Sequence, residues 1–422
     1  MAATRLRHRS ALVLSLAIGF ALVLPGAALA GAFTLDGAGG PGGRTTHRLG
    51  PGVSSVKYQR KPNVFYYDAT GGNLRWGQKM SGVWSFATID GAGGAGGRID
   101  ANVGEDQAAS SRAGVLHVFY FDRTHGDLRH GWYDGSAWRF ETLDGSGGGG
   151  GRLNANVGLE ASATTFGGSL HVVYANIAGD VRHAVYDGST WSFETLDGAG
   201  GGGGRLNASV GWNTAAIVFG NALHVFYFLQ DPSCDPVCHL FGSIREATFD
   251  GSAWAFSSIR DINCCYVDQS LAPAVVSNTN VYLFFENFGL TSQNLRALRW
   301  DGSSWVNQGC VGEPFVQDDI VGADASTTVI LGQPHVTYYD TFSSTLGGTA
   351  GVAHTFFNGT TWRTSLVGID AGAPTASMKS GGVLKVFVGD AAISGGGAAA
   401  HDLVLATPAN TGTPQPADTS CA

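Results

Sequence analysis

The chain repeats itself. Residues 116–158, LHVFYFDRTHGDLRHGWYDGSAWRFETLDGSGGGGGRLNANVG, return almost intact at 170–211 and more loosely elsewhere. Each unit has an apolar run of the HVFY type, a DGSxW-type turn, and an LDG-type tripeptide that opens a glycine-rich segment. The turn tryptophans are Trp84, Trp138, Trp191, Trp254, Trp305 and Trp362, spaced 54, 53, 63, 51 and 57 residues. The tripeptide aspartates Asp36, Asp90, Asp144 and Asp197 are spaced 54, 54 and 53. A fixed period of this length marks an array of supersecondary units, none of which can bury its faces alone.

Within one unit the pattern predicts four short strands: Gln107–Ser111, Leu116–Asp122, Asp127–Tyr133 and Trp138–Leu143. Gly126-Asp127 and Asp134-Gly135 mark the tight turns between them. Both alternation faces of His117–Phe121 are largely apolar, so the sheet is covered on both sides. The first strand of each unit is rich in small residues, as in Ala108-Ala109-Ser110 and Ala161-Ser162-Ala163. Small side chains suit strands crowded against their copies around an axis. Four-stranded sheets arranged radially make a β-propeller, an all-β fold.

The ends of the repeat array set the blade count. Residues 31–37, GAFTLDG, read as a last strand without its first three, and 382–404 read as a unit without its last strand. Six complete units plus this composite give a seven-bladed β-propeller of four-stranded blades, closed by the N-terminal strand 31–37. Residues 31–408 number 378, and one seventh of that is 54, the observed period.

Residues 1–30 read as a secretory signal peptide. Arg5, Arg7 and Arg9 precede an apolar run from Ala11 to Leu24, and Ala28-Leu29-Ala30 forms a small-residue cleavage site. A secreted, extracellular protein is the expectation. No later stretch approaches the roughly 20 apolar residues of a membrane span. Without the three leader arginines the charge is 22 basic against 33 acidic residues, or −11. That balance argues against a nucleic-acid or anionic-membrane partner.

Four junctions carry D-G-x-G-G-x-G-G-R, from Asp36 to Arg44, Asp90 to Arg98, Asp144 to Arg152 and Asp197 to Arg205. A flexible connector with an internal Asp–Arg contact and a ligand-gripping rim loop both fit this pattern. Neither a phosphate-loop Gly-Lys-Ser/Thr nor a GGxGxD calcium repeat is present. The fourth unit is interrupted by an insertion, Gln230–Phe241, with Cys234 and Cys238; Cys264 and Cys265 follow at the next junction. In an exported chain these four are candidates for disulfides joining the insertion to the junction. Residues 409–422 read as a disordered Pro/Thr-rich tail.

Enzyme motifs such as G-x-S-x-G and H-E-x-x-H are absent, and DGSxW departs from the sialidase Asp box by one residue. Histidines recur at matched positions: His117 with His130, His171 with His183, His224 with Glu246, and His335 with His354. The other blades offer Asn63 with Trp76, Tyr282 with Ala297, and Lys385 with His401. Such pairs could tie two strands together, bind hydroxyl groups at a groove between blades, or hold a metal. The DGSxW tryptophans are expected to wedge between blades as core. Tyr120 and Trp132 are candidates to stack on a sugar ring beside the polar pair.

HVFYFDRTHGDLRHGWYDGSAW resembles the repeat of the bacterial and fungal propeller lectins that bind fucose and related sugars, and SIREATFDGSAW (Ser243–Trp254) matches locally. The resemblance spans nearly all of 31–408 as a repeat pattern. It implies a non-catalytic protein with several sugar sites between blades and no cofactor. The fungal lectins' Arg falls here on His117, His171, His224 and His335, and their Glu on His130, His183, Glu246 and His354. Only Glu246 is kept, so weaker sites and an altered sugar preference are implied. A protein-interaction scaffold and a glycan-active hydrolase are the alternatives.

Overall fold

The computed structural model describes residues 31–230, 241–265, 270–288, 293–312, 321–343, 349–370, 375–393, 401–408 and 413–414. Those residues form seven four-stranded antiparallel blades, six of them with their strands neighbouring one another in chain order. In blade 2 the strands are Val103–Arg112, Val115–Asp122, Asp127–Tyr133 and Trp138–Asp144. The first is five residues longer than alternation predicts, because a bulge between Glu105 and Ala108 interrupts the pattern.

The ring closes as the chain ends require. The last blade comprises Thr375–Ser380, Val383–Ile393, Asp402–Ala406 and the N-terminal strand Phe33–Asp36. Phe33 pairs with Leu405 and Thr34 with Val404. Leu35 is fully buried and packs with Tyr66 of blade 1 and Phe387 of blade 7. One chain end thus zips to the other, and apolar burial drives the closure.

Second strands are the densest part of each blade; every residue of Leu116–Asp122 is buried. First strands face an axial channel of about 500 Å³ lined by small residues such as Ser54, Ala108, Ser162, Ala272, Ser326 and Ala376. At the bulges Asp106, Glu160, Asn213 and Asp324 take left-handed φ values of 50–54°. In this conformation the Glu160 carboxylate accepts the Asn213 N–H of the next blade, so local backbone strain is offset by a bond between blades.

The glycine-rich segments are ordered connectors, and their aspartates have other partners than expected. Asp36, Asp90, Asp144 and Asp197 contact not the arginine eight residues on but Arg75, Arg129, Arg182 and Arg245, on the third strand of the following blade. Each aspartate also accepts a tyrosine hydroxyl at 2.5–2.6 Å, from Tyr66, Tyr120, Tyr174 and Tyr227 in turn. The segment arginines instead cap carbonyls: Arg205 donates to Thr195 O at 2.7 Å and Arg152 to Thr142 O at 3.4 Å. Each loop lies along the outer strand of the following blade, where Phe86 and Phe140 donate their N–H groups to Gly42 and Gly96. At Gly97 (φ +82°) an added Cβ would sit 2.1 Å from Phe140 O. Glycine is needed there both for its backbone angle and for the close approach.

Within the expected disordered tail, Thr413 and Pro414 pair with Thr364 and Arg363 on the outer strand of blade 6. That strand has an open edge, and an extended segment satisfies it. The leader 1–30, Cys234 and Cys238 lie outside the described residues, and of Cys264 and Cys265 only the backbone is described, at the end of Trp254–Cys265.

Candidate functional site

Alternation along the second and third strands sends the matched histidines to one face of each blade, toward the next blade. His117 Nδ1 lies 2.9 Å from His130 Nε2, and His130 Nδ1 lies 2.9 Å from Glu141 Oε1 on the outer strand. The arrangement recurs in blade 3, where His171, His183 and Glu194 are joined by two bonds of 2.9 Å. In blade 6, His335, His354 and Ser365 are joined at 2.8 and 3.2 Å. Blade 4 condenses the array: Glu246 occupies the third-strand position and accepts from His224 Nδ1 at 2.7 Å.

In blades 2, 3 and 4 the carboxylate sets the direction of the array. Ionised Glu141 only accepts, so His130 donates through Nδ1 and its Nε2 accepts from His117 Nδ1. Both rings are then neutral, and burial keeps them so. It lowers His117 to about 3, with the neighbouring His130 ring and the Arg112 charge adding to it, and it lowers His130 as well. Burial likewise holds His171 and His335 at about 4 and His354 at about 3.

In blades 2, 3 and 4 a tryptophan of the following blade closes the groove. Trp254 Nε1 donates to Glu194 at 3.1 Å and Trp305 Nε1 to Glu246 at 3.1 Å. Trp191 meets His130 edge-to-face with ring centroids 5.4 Å apart. These turn tryptophans therefore wedge between blades, and Trp254 and Trp305 also supply a donor to the carboxylate. The side chains of Glu141 and Glu194 are 41% and 48% exposed, whereas Glu246 is 9% exposed. The hydrogen bond from His183 is the main cause holding Glu194 below the usual carboxylate range, and Trp254 adds to it.

The expected residues thus meet as pairs in blades 2, 3, 4 and 6. Trp132 is half-buried and stacks on His130 at 5.1 Å. Tyr120 does not join them: it is fully buried, facing blade 1, with its hydroxyl on Asp90. Its ring offers no face to a sugar. His401 does not partner Lys385 either. It lies in the turn before the third strand of blade 7, and Lys385 donates instead to Thr407 Oγ1 at 2.6 Å. In blade 1, Trp76 Nε1 donates to Asn63 Oδ1 at 3.0 Å.

Glu141 and Glu194 escaped the sequence reading. Their signal was the repeated W-x-F-E of WRFETLD and WSFETLD, which becomes WAFS in blade 4, where Glu246 already supplies the acid. Among the described residues no group of three or more His, Cys, Asp or Glu could hold a metal ion, and no helix is long and apolar enough to cross a membrane.

No family model and no curated protein matches the chain. Similar solved structures include the SapL1 lectin in complex with α-methyl fucoside, 18% identical, TM-score 0.46, covering 75% of this chain and 95% of that one. Another is the six-bladed fungal lectin of Aleuria aurantia, with a fucose recognition mode, 17% identical, TM-score 0.44, covering 75% and 95%. A third is a PL25 ulvan lyase bound to -[GlcA(1-4)Rha3S]-, 12% identical, TM-score 0.52, covering 81% and 92%. At these identities the likeness is one of fold.

Proposed function

We propose that the protein is a secreted, non-catalytic, multivalent carbohydrate-binding propeller. One observation carries this reading. Grooves on three successive blades present a carboxylate oriented by an imidazole of its own blade, and in two of them an indole N–H of the next blade also reaches it. A carboxylate so fixed retains lone pairs for sugar hydroxyls, and the adjoining aromatic surface suits the C–H face of a pyranose. Affinity at each groove is modest, and repetition on one rigid ring converts it to avidity where a glycan surface offers several ends.

The ulvan lyase neighbour brings in a catalytic alternative. The burial of His117, His171 and His335 argues against it, because a general base must reach the proton it removes. A glycan array on the folded protein, followed by competition with the free monosaccharide, tests the reading. Binding that monosaccharide displaces is expected. Folded protein that retains no glycan, or that releases fragments from a polysaccharide, would overturn it.

A further inference from the structure

The chain has only five lysines, and all lie on two adjacent blades: Lys57, Lys61 and Lys79 on blade 1, Lys379 and Lys385 on blade 7. Three of them turn into the same groove. Lys385 shares its face with Phe387, which meets Trp84 of blade 1 edge-to-face at 5.9 Å. Lys79 pairs with Trp84 across the third and outer strands of blade 1, which places it on that face too. On the inner strand Val53 packs into the same cluster and Ser55 donates to Ser377 O of blade 7, so alternation carries Lys57 to this side.

This groove is chemically unlike the others. Lys385 stands where His117, His171 and His224 stand, and register places Leu405 and Phe33 where blade 2 has His130 and Glu141. Among the described residues no lysine makes an ion pair with a carboxylate. Partial burial and the nearby Lys79 charge both push the Lys385 ammonium down, as expected of cations gathered without a counter-ion. The acidic residues that give the whole chain its net charge of −8 are spread along its length, and Asp36 at this interface is already paired with Arg75. Beyond roughly 8 Å they are screened at physiological salt.

We propose that the groove between blades 7 and 1 binds the oxyanion of an acidic saccharide, a uronate carboxylate or a sulfate ester, with Lys79 and Lys385 as its donors and Trp84 beside them. This rests on the carbohydrate-binding reading above and assigns a second ligand class on the same ring. Ammonium groups provide charge-assisted bonds to an oxyanion without the planar geometry of arginine. The half-buried indole supplies the surface for the sugar ring.

Calorimetric titration of the full chain with glucuronic acid, glucose 6-sulfate, glucose and inorganic sulfate tests the assignment, comparing wild type with the Lys79→Gln/Lys385→Gln variant. At least one acidic sugar is expected to bind about tenfold tighter than glucose, an advantage that falls with salt and disappears in the variant. Which one binds separates carboxylate from sulfate. An advantage absent in wild type, or persisting in a folded variant, overturns the proposal. Inorganic sulfate binding as tightly as glucose 6-sulfate overturns its saccharide part. A Glu141→Gln/Glu194→Gln/Glu246→Gln variant leaves this groove intact, so failure of neutral-sugar binding elsewhere is a separate result.

Discussion

Asp36 and Arg75 are 39 residues apart in sequence and 2.7 Å apart in space, joining the strand that completes blade 7 to the third strand of blade 1. The same bond recurs at Asp144 and Arg182, with both side chains almost wholly inside the protein. Removing one member of such a pair strands the other charge in a dry environment. Asp144→Ala is therefore expected to cost about 3–5 kcal/mol in equilibrium urea unfolding. A loss under about 1 kcal/mol would mean that water reaches Arg182.

The closing strand makes a second prediction. Leu35 is fully buried between blades 7 and 1. Leu35→Ala should destabilise the ring by about 2–5 kcal/mol. Deleting residues 31–37 should leave the outer edge of the third strand of blade 7 unpaired and promote association between molecules, read by light scattering. A variant without this strand that stays monomeric with unchanged melting would show that the ring does not depend on it.

Two glycines with nearly equal φ separate clash from strain. Gly97 (φ +82°) would place a Cβ 2.1 Å from a carbonyl, whereas Gly114 (φ +80°) has nothing within 4 Å. Gly114→Ala should cost about 1–2 kcal/mol, the left-handed penalty alone. Gly97→Ala should cost more than that, since the obstructing atom is backbone. Equal costs would mean that the loop moves freely off the outer strand of blade 2.

The buried histidines link stability to pH. Their ordinary value is 6.5, and in the fold burial holds His117 and His354 at about 3 and His171 and His335 at about 4. Between those limits the unfolded chain binds more protons, so stability is present above 6.5 and declines as pH falls. Each histidine contributes a slope of about 1.4 kcal/mol per pH unit. Urea midpoints should drop between pH 7 and pH 5, and His117→Phe should flatten part of that slope. A profile already flat in the wild type would show these rings taking up protons in the fold as readily as in the unfolded chain.

The grooves themselves can be counted. Glu194→Gln keeps the shape of the blade 3 groove but removes the anionic acceptor shared by His183 and Trp254. The protein should then bind one fewer equivalent of sugar, with that site weakened about tenfold or more. Unchanged stoichiometry and affinity would place sugar binding away from this carboxylate.

By itself the sequence determined the periodic part of the protein. Seven blades, their strand order and the closing strand follow from a 54-residue spacing and two incomplete ends, because strand alternation and turn chemistry are local properties. The pairing of His117 with His130 was legible for the same reason: hairpin neighbours lie only 13 residues apart. Tertiary structure alone decided which aspartate meets which arginine, since Asp36–Arg75 forms only when two blades pack together. It also turned Tyr120 inward to Asp90, brought Glu194 to Trp254 sixty residues away, and gathered the scattered lysines of blades 1 and 7 around one groove. Each of these depends on the face a strand turns to its neighbour, and bulges that shift register decide that face.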